Sequence, residues 1–291
     1  MEDTQKREAV NSVLLEETLL DSTETKSDSH TDLKELIKNA GTLKVFSGDC
    51  IKCSANGDLT LKYGNAHCIL LRENFTTLVE KDGLVHKEKC SNAVGKKINF
   101  RVQKVENNKV FASRKEYISE LRHYYAKTFK PGDFLTGYVT AINEDLGIYV
   151  DIGADYTAII PRKYAEHGFV KNLSERVQVG EKIEAVIKEI ELDDNGKEFN
   201  KVVLSRVDAL PDYIEIMKSC NIEIGDIISG TVEDIGESGV YVQINPRIVV
   251  LCKYYKDANH KYVILKPGDK VRLQIKSITT TKAKGKIKSK I

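Results

Sequence analysis

Between residues 133 and 142 apolar and polar side chains alternate with a period of two, the pattern of a strand with one buried and one wet face. The same reading predicts strands over residues 147–152, 156–160, 182–190 and 201–205, with turns at Asn143-Glu144-Asp145 and Asp193-Asp194-Asn195-Gly196. Five short antiparallel strands in this little chain bury an interior only by curling into a closed barrel.

Two stretches have helical spacing instead. Residues 114–127 put Tyr117, Leu121 and Tyr124 on one face, with Ile118 and Tyr125 beside them, and stop before Lys130-Pro131-Gly132. The second starts near Pro211, a residue suited to a first helical turn, and runs through Tyr213, Ile214, Ile216 and Met217. Both are expected to pack on a neighbouring barrel and set the angle between modules, with their tyrosines used in packing rather than in stacking on bases.

The strand pattern recurs along the chain. Pro131-Gly132-Asp133-Phe134-Leu135-Thr136-Gly137 aligns with Ile224-Gly225-Asp226-Ile227-Ile228-Ser229-Gly230, and Gly147-Ile148-Tyr149-Val150 aligns with Gly239-Val240-Tyr241-Val242. Val94-Gly95-Lys96, Val179-Gly180-Glu181 and Pro267-Gly268-Asp269 mark a later strand start in each of three units. The units close on Phe111-Ala112-Ser113-Arg114, Val203-Leu204-Ser205-Arg206 and Ile287-Lys288-Ser289-Lys290. A repeat of this length is a small module rather than an enzyme domain, so binding is the expected business of the chain.

Charge refines the picture. The net charge is +2, but residues 1–35 carry −6, residues 36–129 +8, residues 130–209 −5 and residues 222–291 +6. The two basic units suit a polyanion or an ordinary solvated surface; the acidic middle unit suits a polyanion only if its bases cluster. The acidic, Ser/Thr-rich start reads as a disordered tail over residues 1–36. Within it, Val13-Leu14-Leu15-Glu16-Glu17-Thr18-Leu19-Leu20 is either a transient helix or a docking peptide.

Neither a long apolar run nor a secretory start is present, so no membrane role is expected and a cytoplasmic setting is. Cys50 and Cys53 have zinc-knuckle spacing with His67, Cys68, His86 and Cys90 downstream. No second tight pair accompanies them, which favours ordinary strand cysteines. Without a phosphate loop, zinc-protease helix or nucleophile elbow, the chain is expected to be no enzyme, with no cofactor and no small-molecule substrate.

Taken in order and spacing, the Gly-Asp start, Leu146-Gly147-Ile148-Tyr149-Val150-Asp151-Ile152-Gly153, Val179-Gly180-Glu181-Lys182-Ile183 and the Val-Leu-Ser-Arg close resemble the ribosomal protein S1 RNA-binding domain. The resemblance is strong over residues 130–207, good over 222–291 and weak over 40–114. The chain resembles S1 relatives of the short kind found in Gram-positive bacteria. This resemblance implies an all-β chain of tandem five-stranded barrels of the oligonucleotide/oligosaccharide-binding (OB) fold: a degenerate barrel at 37–114, a linker helix at 115–129, an S1 domain at 130–207, a second linker helix at 208–221 and an S1 domain at 222–291.

The family platform pairs two aromatics on the second strand with a His at the end of the third and with basic residues, because rings stack bases while lysine and arginine meet phosphates. Carried over, the middle unit has Leu146 and Tyr149 in the aromatic slots, Pro161 in the His slot, Arg162 and Lys163 after it, and Lys201 at the last strand. The third has Ser238, Tyr241 and Cys252, then Lys253 and Tyr254. Tyr149 and Tyr241 are either stacking groups or half-exposed strand tyrosines.

Lys284, Lys286, Lys288 and Lys290 form an alternating row, either a basic face or a solvated edge; its register conflicts with an inward residue before Ser289. The expected ligand is single-stranded RNA such as mRNA, held across the second and third units, with residues 1–114 meeting the ribosome or another protein, in translation. The alternative is an interaction scaffold whose barrels have lost RNA binding; a third reading, an accessory subunit of an RNA-degrading enzyme, rests on the family alone.

Overall fold

Strands fold into three closed five-stranded barrels in the computed structural model, which describes residues 29–78, 85–107, 109–254, 256 and 262–291. The chain divides into two compact units. One holds the residues up to Asp133 with Ile152–Thr157 and Ile190–Lys201; the other holds Phe134–Asp151, Ala158–Glu189 and Val202–Ile291.

In the first unit, β1 (Val45–Cys53), β2 (Leu59–Tyr63), β3 (Ala66–Leu70), β4 (Lys97–Glu106) and β5 (Lys109–Ser113) close in the order β1-β2-β3-β5-β4. Closure comes from antiparallel pairing of β1 with β4, Phe46 opposite Phe100, and parallel pairing of β3 with β5, Leu70 opposite Ala112. Leu59, Leu61, Cys68 and Leu70 alternate inward around the stacked rings of Phe46 and Phe100, so the least family-like unit is still a complete barrel.

A short helix, Lys87–Ser91, adds Cys90 to that core. A further helix, Ser29–Lys38, corrects the tail boundary: Leu36 is buried in the barrel, and Asp32 accepts a hydrogen bond from the Asn65 backbone N–H at 3.0 Å. Burying a leucine contributes about 1.5–3 kcal/mol toward ordering the segment. The 13–20 segment lies outside the described residues.

The linker helix, Lys115–Thr128, buries Ile118, Arg122 and Tyr125 rather than Tyr117, Leu121 and Tyr124. Both triplets have helical spacing; what decides between them is a buried arginine, which a hydrophobic pattern cannot show. Arg122 donates to the Ala154 carbonyl at 3.0 Å and to Glu198 at 2.8 Å, with its guanidinium 4.2 Å from the Tyr156 ring centroid. Tyr125, Phe129, Tyr156 and Phe199 pack as one aromatic cluster beside it.

The middle barrel, β6 (Phe134–Asn143), β7 (Gly147–Asp151), β8 (Thr157–Pro161), β9 (Lys182–Leu192) and β10 (Phe199–Ser205), closes in the order β10-β8-β7-β6-β9. The third, β11 (Ile227–Gly236), β12 (Gly239–Asn245), β13 (Ile248–Lys253), β14 (Lys270–Ile278) and β15 (Ala283–Lys290), closes as β11-β12-β13-β15-β14. Gly239 opens β12 at φ 137°, where a Cβ would sit 2.4 Å from the Cys252 carbonyl oxygen; only glycine lets β12 and β13 approach. The helix before the third barrel, Tyr213–Ser219, starts after Pro211 with Asp212 as its N-cap, and buries Tyr213 and Met217 in that barrel's core.

The repeated signatures have structural jobs. At four Gly-Asp or Gly-Glu turns of the second and third barrels the acid accepts a backbone N–H three residues upstream: Asp133 from Lys130, Asp226 from Glu223, Glu181 from Gln178 and Asp269 from Lys266, all at 2.8–2.9 Å. In the closing signature the serine is buried in the first two barrels (Ser113, Ser205) and half-buried in the third (Ser289), and the base that follows makes an ion pair: Arg114 with Asp155 and Arg206 with Glu166, each at 2.8 Å, and Lys290 with Asp269 at 2.6 Å. Burial alone would raise the Asp155 pKa, but the Arg114 charge and hydrogen bond outweigh it and hold the carboxyl below its usual value.

Candidate nucleic-acid interface

Three neighbouring strands of the third barrel set up its outer face. Tyr241 on β12 lies opposite Leu251 on β13, and Leu251 lies opposite Lys284 on β15; one step along, Lys253 lies opposite Lys286. On β15 Ala283, Gly285 and Ile287 point inward while Lys284, Lys286 and Lys288 are exposed. The pairing of β14 with β15 slips between Arg272 and Leu273 and again between Ile275 and Ser277, which leaves Lys288 and Lys276 as bulge residues. Those bulges resolve the register conflict at Ser289, since a bulge re-aims a side chain without moving the rest of the strand.

The result is a groove of about 1000 Å3 into which Lys253, Lys256, Lys276, Lys284, Lys286 and Lys288 converge. Among the described residues no Asp or Glu lines it. Among the described residues none of the six lysines has a carboxylate partner, whereas Lys290 at the strand end does. Tyr254 borders the groove, 47% exposed, its hydroxyl donating to the Gly236 carbonyl at 2.8 Å. Cys252, in the slot for a histidine, is buried, and burial pushes its thiol up to about 12, so it offers neither charge nor a nucleophile.

Of the residues singled out in the sequence, Lys253, Tyr254, Lys286 and Lys288 therefore come together. Lys256, Lys276 and Lys284 join them; the lysine row hinted at Lys284, but only the fold brings the other two. Tyr241 is not a bare platform: the Phe169 ring is stacked on it, centroids 4.0 Å apart. Lys163 stands near that pair, in a smaller cleft that shares Ser238 and Leu251 with the groove.

The middle barrel is arranged differently. Arg162 is committed to the protein itself: its guanidinium donates to the carbonyls of Glu144, Val170 at 2.6 Å and Lys171 at 2.8 Å, and it pairs with the Glu144 carboxylate at 3.6 Å. A planar fork of donors used this way ties two loops together and leaves fewer donors for a phosphate. Tyr149 is half-buried on β7 and Lys201 exposed on β10. Leu146, in the first aromatic slot, is exposed.

In the first barrel Cys50 and Cys90 are buried and Cys53 half-buried. Burial raises the Cys50 thiol, and the proximity of Cys53 and Cys90 raises it further. Among the described residues no group of three or more His, Cys, Asp or Glu side chains is placed to hold a metal ion. No helix among the described residues is long and apolar enough to cross a membrane.

The S1 RNA binding domain family matches residues 128–201. The match falls on the middle barrel. The small ribosomal subunit protein bS1 of Staphylococcus epidermidis is 28% identical over 196 residues, 63% of this chain and 47% of that protein. That of Staphylococcus saprophyticus is 26% identical over 258 residues, 85% of this chain and 60% of that protein. The chain thus spans about half the length of the curated relatives it matches. Among solved structures, GSP13 from Bacillus subtilis is 25% identical with a TM-score of 0.24, covering 29% of this chain and 62% of that one. A multidomain protein with nucleic acid binding domains from Streptococcus pneumoniae is 12% identical with a TM-score of 0.20, covering 87% and 75%.

Proposed function

We propose that this protein binds single-stranded RNA, with the third barrel as its principal grip, and serves translation at the small ribosomal subunit. The observation that carries the reading is the groove in which six lysines converge with no carboxylate among its described lining residues. Lysines spaced along a groove match the phosphates of a strand without reading sequence, so binding is salt-sensitive and broadly sequence-tolerant. The ribosomal link is supported by the relatives named bS1.

In this reading the middle barrel, with its acidic balance and its Arg162 occupied, contributes less than the third; Tyr149, Lys163 and Lys201 are auxiliary contacts. The first barrel and the residues before it are the part that meets the ribosome or another protein. The chain acts in the cytoplasm, on mRNA, and without chemistry of its own. A scaffold that had lost RNA binding would have no use for six lysines in one groove without a carboxylate partner among the described residues. Titrating the full chain with a labelled, unstructured oligoribonucleotide at low salt tests the proposal: saturable binding is expected, and no binding would refute it.

A further inference from the structure

Beside the lysine groove lies a second cleft of about 420 Å3, walled on one side by the middle barrel's turn, Glu166 to Phe169, and on the other by Tyr241 and Lys282 of the third barrel. The turn is built in rather than draped. The Gly168 N–H donates to the Thr281 carbonyl at 3.1 Å, and at φ 72° a Cβ on Gly168 would press to 2.9 Å from the Tyr213 hydroxyl. Arg206 neutralises Glu166 at 2.8 Å, so the turn adds no free negative charge.

Two features of the cleft call for a ligand. The Phe169 ring lies on Tyr241 with planes 22° apart, forming an aromatic block where the third barrel's own neighbouring side chain is only Ser238. His167, also in the lining, is 8% exposed, and both of its ring nitrogens are buried without a hydrogen-bond partner. An imidazole always has at least one donor, and burying it unsatisfied is unfavourable. A cleft of this volume lies in the range of small-ligand sites.

We infer that the cleft is an anchor for a single nucleotide, assembled from two barrels: one RNA base stacks onto the Phe169–Tyr241 pair, while Lys163 and Lys282 meet the flanking phosphates. The inference rests on the RNA-binding reading of the adjoining groove. Phe169 thereby supplies from the middle barrel the ring that the third barrel lacks, and the base extends an existing stack as its next layer.

The chain has no tryptophan, so Phe169→Trp installs a unique fluorophore at the site. Full-length F169W is titrated with an oligouridylate of about a dozen nucleotides and, separately, with an abasic oligomer of equal length, while labelled-RNA anisotropy is followed in parallel. The expected result is saturable tryptophan quenching by the oligouridylate, with the same midpoint as anisotropy, and none by the abasic strand. Phe169→Ala should weaken oligouridylate binding at least about fivefold, one stacked base being worth 1–3 kcal/mol. Anisotropy change without quenching would overturn the anchor and leave the groove standing. Tighter binding by F169A would overturn it too, by showing that Phe169 covers the site, and silence in both signals would overturn the RNA reading with it.

Discussion

The salt dependence of RNA binding is where the groove makes its sharpest prediction. Each single-strand phosphate neutralised contributes about −0.7 to the slope of log K against log salt, so all six groove lysines engaged give a slope of about −4. Raising salt fourfold, from about 50 to about 200 mM, should then weaken binding about 300-fold. Lys284→Gln with Lys286→Gln removes two exposed side chains that carry no ion pair, so the fold should be little affected. The slope should fall to about −3, and the same salt step should now cost only about 50-fold. Fluorescence anisotropy of a labelled unstructured RNA over a salt series measures both slopes. A wild-type slope shallower than about −1, or one that the double substitution leaves unchanged, would refute the argument that these lysines meet phosphates.

Three further outcomes test the scaffold. Tyr213 accepts from the Val249 N–H at 2.7 Å and donates to its carbonyl at 2.8 Å, so Tyr213→Phe should destabilise the second unit by about 2–3 kcal/mol, read by urea denaturation. Asp155→Asn should cost about 3 kcal/mol at neutral pH by leaving Arg114 without its counter-charge in a largely buried pair. Because the folded Asp155 pKa is depressed, its contribution is present above the unfolded value of about 4 and is lost as pH falls below it; D155N should therefore show a shallower loss of stability in acid than wild type, followed by circular dichroism. Gly239→Ala should unfold or grossly destabilise the third barrel, detected as lost thermal cooperativity, since its Cβ has nowhere to go against Cys252.

Much of the barrel was legible in one dimension because period-two alternation is a direct record of which side chains face inward. The last strand of the middle barrel starts at Phe199, earlier than the pattern suggested, because Phe199 belongs to an aromatic cluster rather than to the alternation. The linker helix was found but its face misjudged, since Arg122 is buried through hydrogen bonds and a ring contact that no hydrophobicity pattern encodes. The hydrogen bonds of Arg162 were hidden for the converse reason: its donors are used by loop carbonyls whose approach depends on the folded backbone.

The repeat, the strand count and the closed all-β modules were determined by the sequence alone, because local alternation and turn chemistry are local properties. Which charges converge was decided only by the tertiary structure. Lys253, Lys276 and Lys286 come from three strands, and bulges aim Lys276 and Lys288 into the groove. Likewise Phe169, unremarkable in its loop, meets Tyr241 some seventy residues away through the docking of one barrel's turn on the next. Long-range convergence of this kind is set by strand register and barrel closure, which no window of the chain contains.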